Sequence, residues 1–282
     1  MPSATGVGQQ QNLRTCAGFF TCLWAFWVLR GNDLDKLTPK HADLHHNLVL
    51  ALNQFGFNGF NFTLSSELAG EISINLSKLE EFSPRVMKRE KFTLVSCNRA
   101  LEIRRYYVSF FADRRESGFT MARKLGATIW DGPDLSKPSG HQLRDFLHQR
   151  QVSSVALWLV ETSSHWTGYF TLFSNQQYTQ LCRNCWENGA EIDALLRLYG
   201  EFYSSEFSEK LNPIFNYDII NQKSLNILNL LAEGGSIKEI SARQNLSERG
   251  ICYHVDRMKE ILCCHNRYHL VHKAHQLGLL RK

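Results

Sequence analysis

The sequence contains no apolar run as long as the roughly 20 residues that a helix needs to cross a bilayer. Its longest apolar run, Thr15–Leu29, has 15 residues and lies between Arg14 and Arg30. No small-residue cleavage site of the kind that ends a signal peptide follows this run. The pattern therefore favours a packed N-terminal helix, and a membrane tether through residues 15–29 remains the alternative.

Cysteine is too irregularly placed to form a disulfide scaffold. The 282-residue chain has eight cysteines, and a chain of this length does not need disulfides to fold, so a reducing compartment is the simpler expectation. Cys182 and Cys185 form one CxxC pair, but no second pair follows, and their surroundings have the pattern of a helix. The adjacent Cys263 and Cys264 point in different directions if they lie on a helix. We predict no metal site and no cofactor.

Motifs of the common enzyme classes are absent as well. The sequence has no Walker A, GxGxxG, HExxH or GxSxG motif, and no pair of carboxylates that assigns a reaction. With 43% hydrophobic and 21% charged residues, its composition is that of an ordinary globular protein. We therefore predict no catalytic residue and no enzymatic activity.

Positive charge is concentrated at the C-terminal end. The whole chain carries 32 basic and 27 acidic residues, a net charge of +5. From Tyr217 onward there are 10 basic and 6 acidic residues, which leaves 22 and 21 for the larger N-terminal part. A small basic region behind a nearly neutral one indicates an anionic partner for the C-terminal region.

Hydrophobic periodicity predicts a mixed α and β region before residue 208. A helix, a strand and an irregular middle are followed by a strand, a helix, two strands and a long helix. This order suggests helices packed around an antiparallel sheet rather than a doubly wound nucleotide-binding fold. The predicted elements are a helix at Ala42–Phe55, strands at Phe60–Leu64 and Thr128–Trp130, a helix at His141–Gln149, strands at Ser154–Glu161 and His165–Phe173, and a helix at Cys182–Phe207.

The sequence changes character from Gln222, where three short helices follow one another. Ser236 has Glu239 three residues further on, which is the pattern of a capping box at the start of the second helix. Ser247 is the predicted N-cap of the third helix, whose apolar residues recur at steps of four, three and four. Two capped helices joined by a short turn make a helix-turn-helix, whose second helix enters the major groove of DNA. The residues predicted to contact DNA are Ser247, Arg249, Cys252, Tyr253, Asp256, Arg257 and Lys259.

Separated motifs of this region resemble the LuxR-type (GerE-like) DNA-binding domain. They are Ala232-Glu233-Gly234, Ile237–Ser241, Leu246–Arg249, His254, Met258 and Asn266-Arg267. The resemblance implies a transcriptional regulator that binds double-stranded DNA as a homodimer, with RNA polymerase as a further partner, in the bacterial cytoplasm and nucleoid. Ser224 stands where the family usually has Glu, Gly250 where it has Thr, and Asp256 where a basic residue is common.

The N-terminal part resembles the autoinducer-binding domain of the same family. Gln54–Phe62 fits its opening helix and G-F-x-x-F strand, and Asp113 and Trp130 are counterparts of two of its pocket residues. Arg114 replaces the proline that follows the family's Asp, and Arg104 stands where the family has tyrosine. The resemblance therefore implies a small-molecule sensor whose ligand is apolar or amphipathic but is not a standard acyl-homoserine lactone. The candidate ligand-binding residues are Tyr106, Tyr107, Asp113, Trp130 and Trp158.

The predicted fold class is α+β, with an N-terminal α/β/α sandwich around an antiparallel sheet (autoinducer-binding or PAS-like) and a C-terminal all-α helix-turn-helix domain. The predicted divisions are an extension at 1–38, a sensor domain at 39–208, a linker at 209–219 and a DNA-binding domain at 220–282. The last helix would supply the dimer contact through Leu270, Val271, Ala274 and Leu277. The alternatives are an enzyme with a DNA-binding tail, a membrane-tethered regulator, and an interaction or dimerisation protein whose helix-turn-helix no longer binds specific DNA.

Overall fold

The structure is a computed structural model that describes residues 39–65, 86, 88–110, 126–164 and 166–280. The N-terminal apolar run and Asp113 lie outside these residues. In chain order the elements are α1 (Pro39–Gln54), β1 (Phe57–Ser65), β2 (Leu94–Val95), α2 (Asn98–Phe110), β3 (Gly126–Trp130), α3 (Pro138–Gln149), β4 (Ser154–Glu161), β5 (Thr167–Ser174), α4 (Tyr178–Glu206), α5 (Ser208–Leu211), α6 (Pro213–Asn216), α7 (Gln222–Ala232), α8 (Ile237–Gln244), α9 (Glu248–Ile261) and α10 (Arg267–Gln276).

The five strands form one antiparallel sheet in the order β2-β1-β5-β4-β3. The first long strand therefore pairs with the last one, and Phe62 on β1 lies opposite Phe170 on β5. Phe170 in turn lies opposite Trp158 on β4. Because successive side chains of a strand point to opposite faces, this register fixes which residues share a core.

Each face of the sheet carries its own hydrophobic core. On the face toward α1 and α4, Phe60, Phe62 and Phe170 are buried together with Trp158. On the opposite face, toward α2 and α3, Val155 and Leu157 of β4 form a second buried cluster with residues of these two helices. Helices on both faces of an antiparallel sheet confirm the predicted fold class.

A polar pair is enclosed in the first core. The Nδ1 atom of His45 on α1 lies 2.9 Å from the hydroxyl oxygen of Tyr203 on α4. Burial lowers the pKa of His45 to about 4, because the interior disfavours the charged imidazolium. This histidine is therefore neutral in the folded protein at neutral pH.

Some element boundaries differ from the sequence-based expectation. Helix α4 begins at Tyr178 and β1 at Phe57, each three or four residues earlier than predicted. Helix α2, Asn98–Phe110, was not predicted, because its charged residues obscure the apolar face that Ile103 and its neighbours bury. Within the described part of the chain, no helix is both long and apolar enough to cross a membrane.

The C-terminal helices pack around a core of their own residues that joins the core of the sheet. Leu228, Ile251 and Leu270 come from three different helices and are fully buried. They belong to the same buried cluster as Phe62 and Tyr203. The sheet region and the C-terminal helices are thus in apolar contact.

The segment 209–219, predicted as a linker, is folded and packed. It contains α6 and most of α5, and its residues Leu211, Ile214 and Tyr217 are buried. The side chain of Asn216 accepts hydrogen bonds from the main-chain N–H groups of Lys91 (3.0 Å) and Phe92 (2.7 Å), and donates to the Phe92 carbonyl oxygen (2.7 Å).

A second asparagine fastens the other side of this segment. The Asn212 amide donates a hydrogen bond of 2.8 Å to the carbonyl oxygen of Leu277, just beyond α10. Asn212 and Asn216 together tie residues 209–219 to the sheet region on one side and to the C-terminal helices on the other.

Candidate nucleic-acid interface

Helices α8 and α9 are joined by the three-residue turn Asn245-Leu246-Ser247. Asn245 ends α8 in the left-handed conformation with φ of 51°, which asparagine tolerates better than most residues. The Ser241 hydroxyl donates a 2.7 Å hydrogen bond to the Leu246 carbonyl, which closes the turn. Ser247 then caps α9 by accepting from the N–H of Gly250 at 3.1 Å.

The start of α8 is a complete capping box. The Ser236 hydroxyl oxygen accepts from the Glu239 N–H at 3.3 Å, and the Glu239 carboxylate accepts from the Ser236 N–H at 2.8 Å. Hydrogen bonds from the Ser236 main chain and side chain to the Glu239 carboxylate lower the pKa of Glu239. The capping box predicted from the sequence is therefore present, and it fixes the helix that precedes the turn.

One face of α9 is turned to solvent while the opposite face is buried. Ile251, Val255 and Met258 point into the core. Tyr253 is 67% exposed, and the other exposed residues lie before and after it at helical spacing. The exposed face carries Arg249, Cys252, Tyr253, Asp256 and Arg257.

The structure thus brings five of the seven predicted DNA-contacting residues onto a single face. Ser247 lies at the N-terminal edge of this face, where its side chain serves as the cap. The Lys259 side chain is 26% exposed and points along the helix to Asp256, with Nζ 2.8 Å from the carboxylate oxygen. Lys259 therefore contributes charge beside this face rather than on it.

The charges of α9 are largely paired with one another. Besides the Lys259–Asp256 pair, Arg257 forms an ion pair of 2.9 Å with Glu260. All four side chains are at least partly exposed to solvent, and such pairs contribute only about 0–1 kcal/mol each. Phosphate oxygens can therefore replace these carboxylates as partners at little cost.

A hydrogen bond to α7 fixes the position of α9. The Nδ1 atom of His254 lies 2.9 Å from the hydroxyl oxygen of the buried Ser224. Ser224 is one of the positions at which the sequence departs from the resembling family. In this protein the Ser224 hydroxyl instead anchors α9, the predicted recognition helix, to α7.

The apolar stripe of α10 is not available for a dimer contact. Leu270, Ala274 and Leu277 are buried within the same chain, with exposures of 0%, 0% and 2%. They pack into the core of the C-terminal helices. The prediction that this stripe pairs two copies is wrong for these three residues, because intramolecular packing already covers them, and the fourth, Val271, is partly buried.

The candidate ligand-binding residues do not form one site. Tyr107 and Trp130 are buried in the core toward α2 and α3, and Tyr106 stacks on Phe146 beside it with ring centroids 3.7 Å apart. Trp158 lies on the opposite face of the sheet, where its indole N–H donates to Asp193 at 2.8 Å. The sheet itself separates Trp158 from the other three. Asp113 lies outside the described residues.

A buried polar cluster between α2 and the 209–219 segment was not expected from the sequence. The Arg104 guanidinium donates to both carboxylate oxygens of Glu90, at 3.2 and 2.9 Å, and the Tyr217 hydroxyl donates to Glu90 at 3.1 Å. Burial and the Glu90 carboxylate raise the pKa of Tyr217 above its ordinary value. The three residues are far apart in the sequence, so no local sequence pattern predicts the cluster.

Within the described residues, no group of three or more His, Cys, Asp or Glu side chains could hold a metal ion.

The side chains at the exposed α9 face are hydrogen-bonding and ion-pairing groups. This arrangement suits the recognition of a polyanion with a groove, as in duplex DNA.

Comparison with known proteins identifies the C-terminal region. Residues 219–274 match the family of bacterial regulatory proteins, luxR family. The chain therefore contains a LuxR-type helix-turn-helix domain, as its motifs predicted. No match was found among curated protein sequences.

Two solved structures align with 88% of this chain. Escherichia coli SdiA has 12% sequence identity and a TM-score of 0.37, with 88% of this chain and 94% of that chain covered. SdiA in complex with octanoyl-rac-glycerol has 12% identity and a TM-score of 0.36, with 88% and 92% covered.

Proposed function

We propose that the protein is a homodimeric, non-enzymatic transcriptional regulator that binds duplex DNA through its LuxR-type domain and adjusts that binding through its sheet domain. The observation that carries the proposal is the exposed face of α9, which follows a capped helix and a short turn inside the family-matched segment. Its expected sites of action are promoters on the bacterial nucleoid, with RNA polymerase as a further partner.

Each exposed residue of α9 has a role that its chemistry permits. Arg249, in the first turn, can donate two hydrogen bonds to the O6 and N7 atoms of guanine. Tyr253, one turn further on, can contact a thymine methyl group or a phosphate. Arg257 can exchange Glu260 for a phosphate oxygen. Asp256 would repel phosphate, but it can accept a hydrogen bond from the amino group of cytosine, which places it over a base edge.

A homodimer is expected because one recognition helix buries little surface, and two half-sites together supply affinity and spacing. Helix α4 offers a surface for it. Trp186, Ala190, Ala194 and Leu198 recur every four residues and are all exposed, with Trp186 at 87% and Leu198 at 67%. Large apolar side chains exposed in a row mark interaction surfaces, and the alanines between them allow a second helix to approach closely. The proposed partner of this stripe is α4 of a second copy.

We propose that the sheet domain is the part of the chain that binds a small-molecule signal. Tyr107 and Trp130 are buried between the sheet and the helices α2 and α3. We propose a ligand other than a standard acyl-homoserine lactone, because Arg104 stands where the family has tyrosine and is engaged by Glu90.

DNA binding is tested by fluorescence anisotropy on duplexes selected from a random pool. We expect a two-fold site whose affinity falls steeply with salt, because phosphate contacts release counterions. Arg249→Ala should weaken the selected site by about 5- to 150-fold, since a bidentate arginine–guanine contact contributes about 1–3 kcal/mol. The control is Arg144→Ala on α3, which should bind normally. Equal affinity of wild type and Arg249→Ala for the selected site would contradict the proposal.

The dimer is tested separately by sedimentation of the full chain. Trp186→Glu should convert dimer to monomer at micromolar concentration and lower affinity for the two-fold site more than for a single half-site. Leu50→Glu on α1, a change of the same kind at another exposed apolar residue, should leave the dimer intact. If Trp186→Glu remains a dimer, the proposed α4 interface is wrong and the two copies pair through another surface.

A further inference from the structure

A cavity opens between the segment that precedes β2 and helix α2. Its volume is about 450 Å³, within the range of roughly 300–1,000 Å³ that is typical of small-molecule sites. Its wall includes the four cationic side chains of Lys88, Lys91, Arg104 and Arg105, against the single carboxylate of Glu90. The wall also contains apolar residues, among them Leu101 and Val108, which lie on α2 together with Arg104 and Arg105.

Arg104 is the innermost of these cations. Its side chain is only 11% exposed, and so is that of its partner Glu90. Burial alone would lower the pKa of Arg104, but the adjacent Glu90 carboxylate outweighs this, so the net pKa is raised and the guanidinium stays charged. Glu90 accepts from two of its N–H groups and the Tyr217 hydroxyl hydrogen-bonds to the same guanidinium, whereas a guanidinium has five N–H groups. Its planar fork therefore retains donors for a second acceptor.

Of the other cations of the wall, Arg105 leaves positive charge at the cavity. Lys91 pairs with Asp218 at 3.1 Å, but both side chains are more than half exposed, so the pair contributes little. For Arg105, which is exposed, the described residues provide no hydrogen bond or ion pair. A concave site with uncompensated charge concentrates the field and attracts ions of the opposite sign.

We propose that this cavity binds a small molecule through a carboxylate or phosphate group held by Arg104 and Arg105. The proposal rests on the proposed function, since it names the class of signal that the sheet domain senses. A DNA phosphate is a poor fit, because Arg104 lies inside a concave wall that a rigid duplex backbone does not enter. A small oxyanion reaches it freely.

The cavity wall is also the part of the sheet region that holds the 209–219 segment. Glu90, which orients Arg104, accepts the hydroxyl of Tyr217. Lys91 and Phe92, on the same wall, bind the Asn216 side chain through their main chain. An oxyanion that becomes a second acceptor of Arg104 therefore changes the hydrogen bonding of Glu90 and Tyr217, and Tyr217 leads directly into the DNA-binding domain.

In the experiment, the 282-residue chain is titrated without DNA, once with inorganic phosphate and once with succinate, while sodium chloride keeps the ionic strength constant. At a ligand concentration near ten times the dissociation constant, mass action should raise the melting temperature by roughly 3 °C. Calorimetry should show one saturable site per chain for at least one of the two anions, and the preferred anion identifies the oxyanion.

Arg105→Gln is the decisive variant, because the side chain is exposed and its loss leaves no buried charge unpaired. It should weaken the saturable binding at least tenfold. Arg144→Gln, at a partly exposed arginine outside the cavity, and Arg249→Ala, on α9, should retain it. Because Arg249→Ala changes the DNA-binding surface and not the cavity, it distinguishes anion binding in the cavity from phosphate binding at α9. A failure of anion binding in the cavity would therefore leave the proposed DNA binding untouched, and a failure of DNA binding would leave the cavity site untouched.

Three results would overturn the proposal. One is a rise in melting temperature that does not saturate and is the same in all variants, which is the general effect of kosmotropic salts. Another is saturable binding that Arg105→Gln does not weaken. The third is a loss of DNA affinity in Arg105→Gln with unchanged anion binding, which would make this wall a contact for DNA.

Discussion

The C-terminal helices and the helices of the sheet domain are fixed by different kinds of interaction. Each of α7 to α10 begins at a residue whose side chain accepts a hydrogen bond from the first turn: Asn221, Ser236, Ser247 and Asn266. Helices α3 and α4 follow Lys137 and Gln177, and among the described residues neither of these side chains caps its helix.

The difference follows from length and surroundings. The C-terminal helices have 8 to 14 residues, and isolated helices of this length are marginal in water, so local caps of about 1 kcal/mol each matter. Helix α4 has 29 residues and lies along the sheet with Leu181, Ile192 and Leu196 fully buried. Its position is determined by tertiary burial. One half of the chain is therefore specified mainly by local signals and the other by long-range packing.

The largest expected effect is on the sheet core. Phe170→Ala removes a fully buried ring that lies 4.5 Å from Phe62, centroid to centroid, and should destabilise the sheet domain by about 3–5 kcal/mol. All six tryptophans lie at or before position 186, so urea unfolding followed by tryptophan fluorescence reports this half. Leu50→Ala, at an exposed position of α1, is the control. A loss of less than 1 kcal/mol would show that long-range packing does not determine the stability of the sheet domain.

An intermediate effect is expected from pH. The pKa of His45 is about 4 in the folded protein, below the ordinary value of 6.5, so the unfolded chain binds the extra proton between these values. The stability contributed by the neutral histidine is complete above pH 6.5 and is lost as pH falls toward 4. Between neutral pH and pH 5 the loss should be roughly 2 kcal/mol.

This pH effect is measured by urea unfolding at both pH values. His45→Gln replaces the imidazole with a side chain that does not titrate but can still hydrogen-bond to Tyr203. The difference between wild type and variant isolates His45 from the carboxylates, which titrate at lower pH. Parallel pH profiles of the two proteins would show that His45 is not the group responsible.

The smallest effect tests the comparison most directly, because it pairs one cap with one uncapped helix start. Ser236→Ala removes the acceptor of the Glu239 N–H and should cost about 1 kcal/mol. Gln177→Ala, at the start of α4, should change stability by less than about 0.5 kcal/mol. Thermal unfolding followed by circular dichroism measures both. Equal losses would remove the distinction between the two halves.

The same distinction explains what could be predicted from the sequence. The capping box at Ser236 and the buried stripe of α9 were predicted because each depends on residues within one or two turns. The placement of Trp158 depends on register across the sheet, which puts Trp130 opposite Val155 and thus on the other face. No local spacing contains that information.

Long-range polar contacts were equally beyond sequence reasoning. Glu90 and Tyr217 are 127 positions apart, and their hydrogen bond exists only because the 209–219 segment folds back beside α2. The apolar stripe of α10 was recognised, but its assignment to a dimer failed because periodicity shows that a face is buried without showing what buries it.

The folded 209–219 segment also determines how the DNA-binding domain is presented. A flexible tether would let each such domain search a volume set by chain length, and its effective concentration at a half-site would change only gradually with distance. With Asn212 and Asn216 anchored on both sides, this segment acts as a spacer of fixed length. A dimer built on it would accept a narrow range of distances between half-sites, so that half a helical turn of inserted DNA places the second half-site on the wrong side of the duplex.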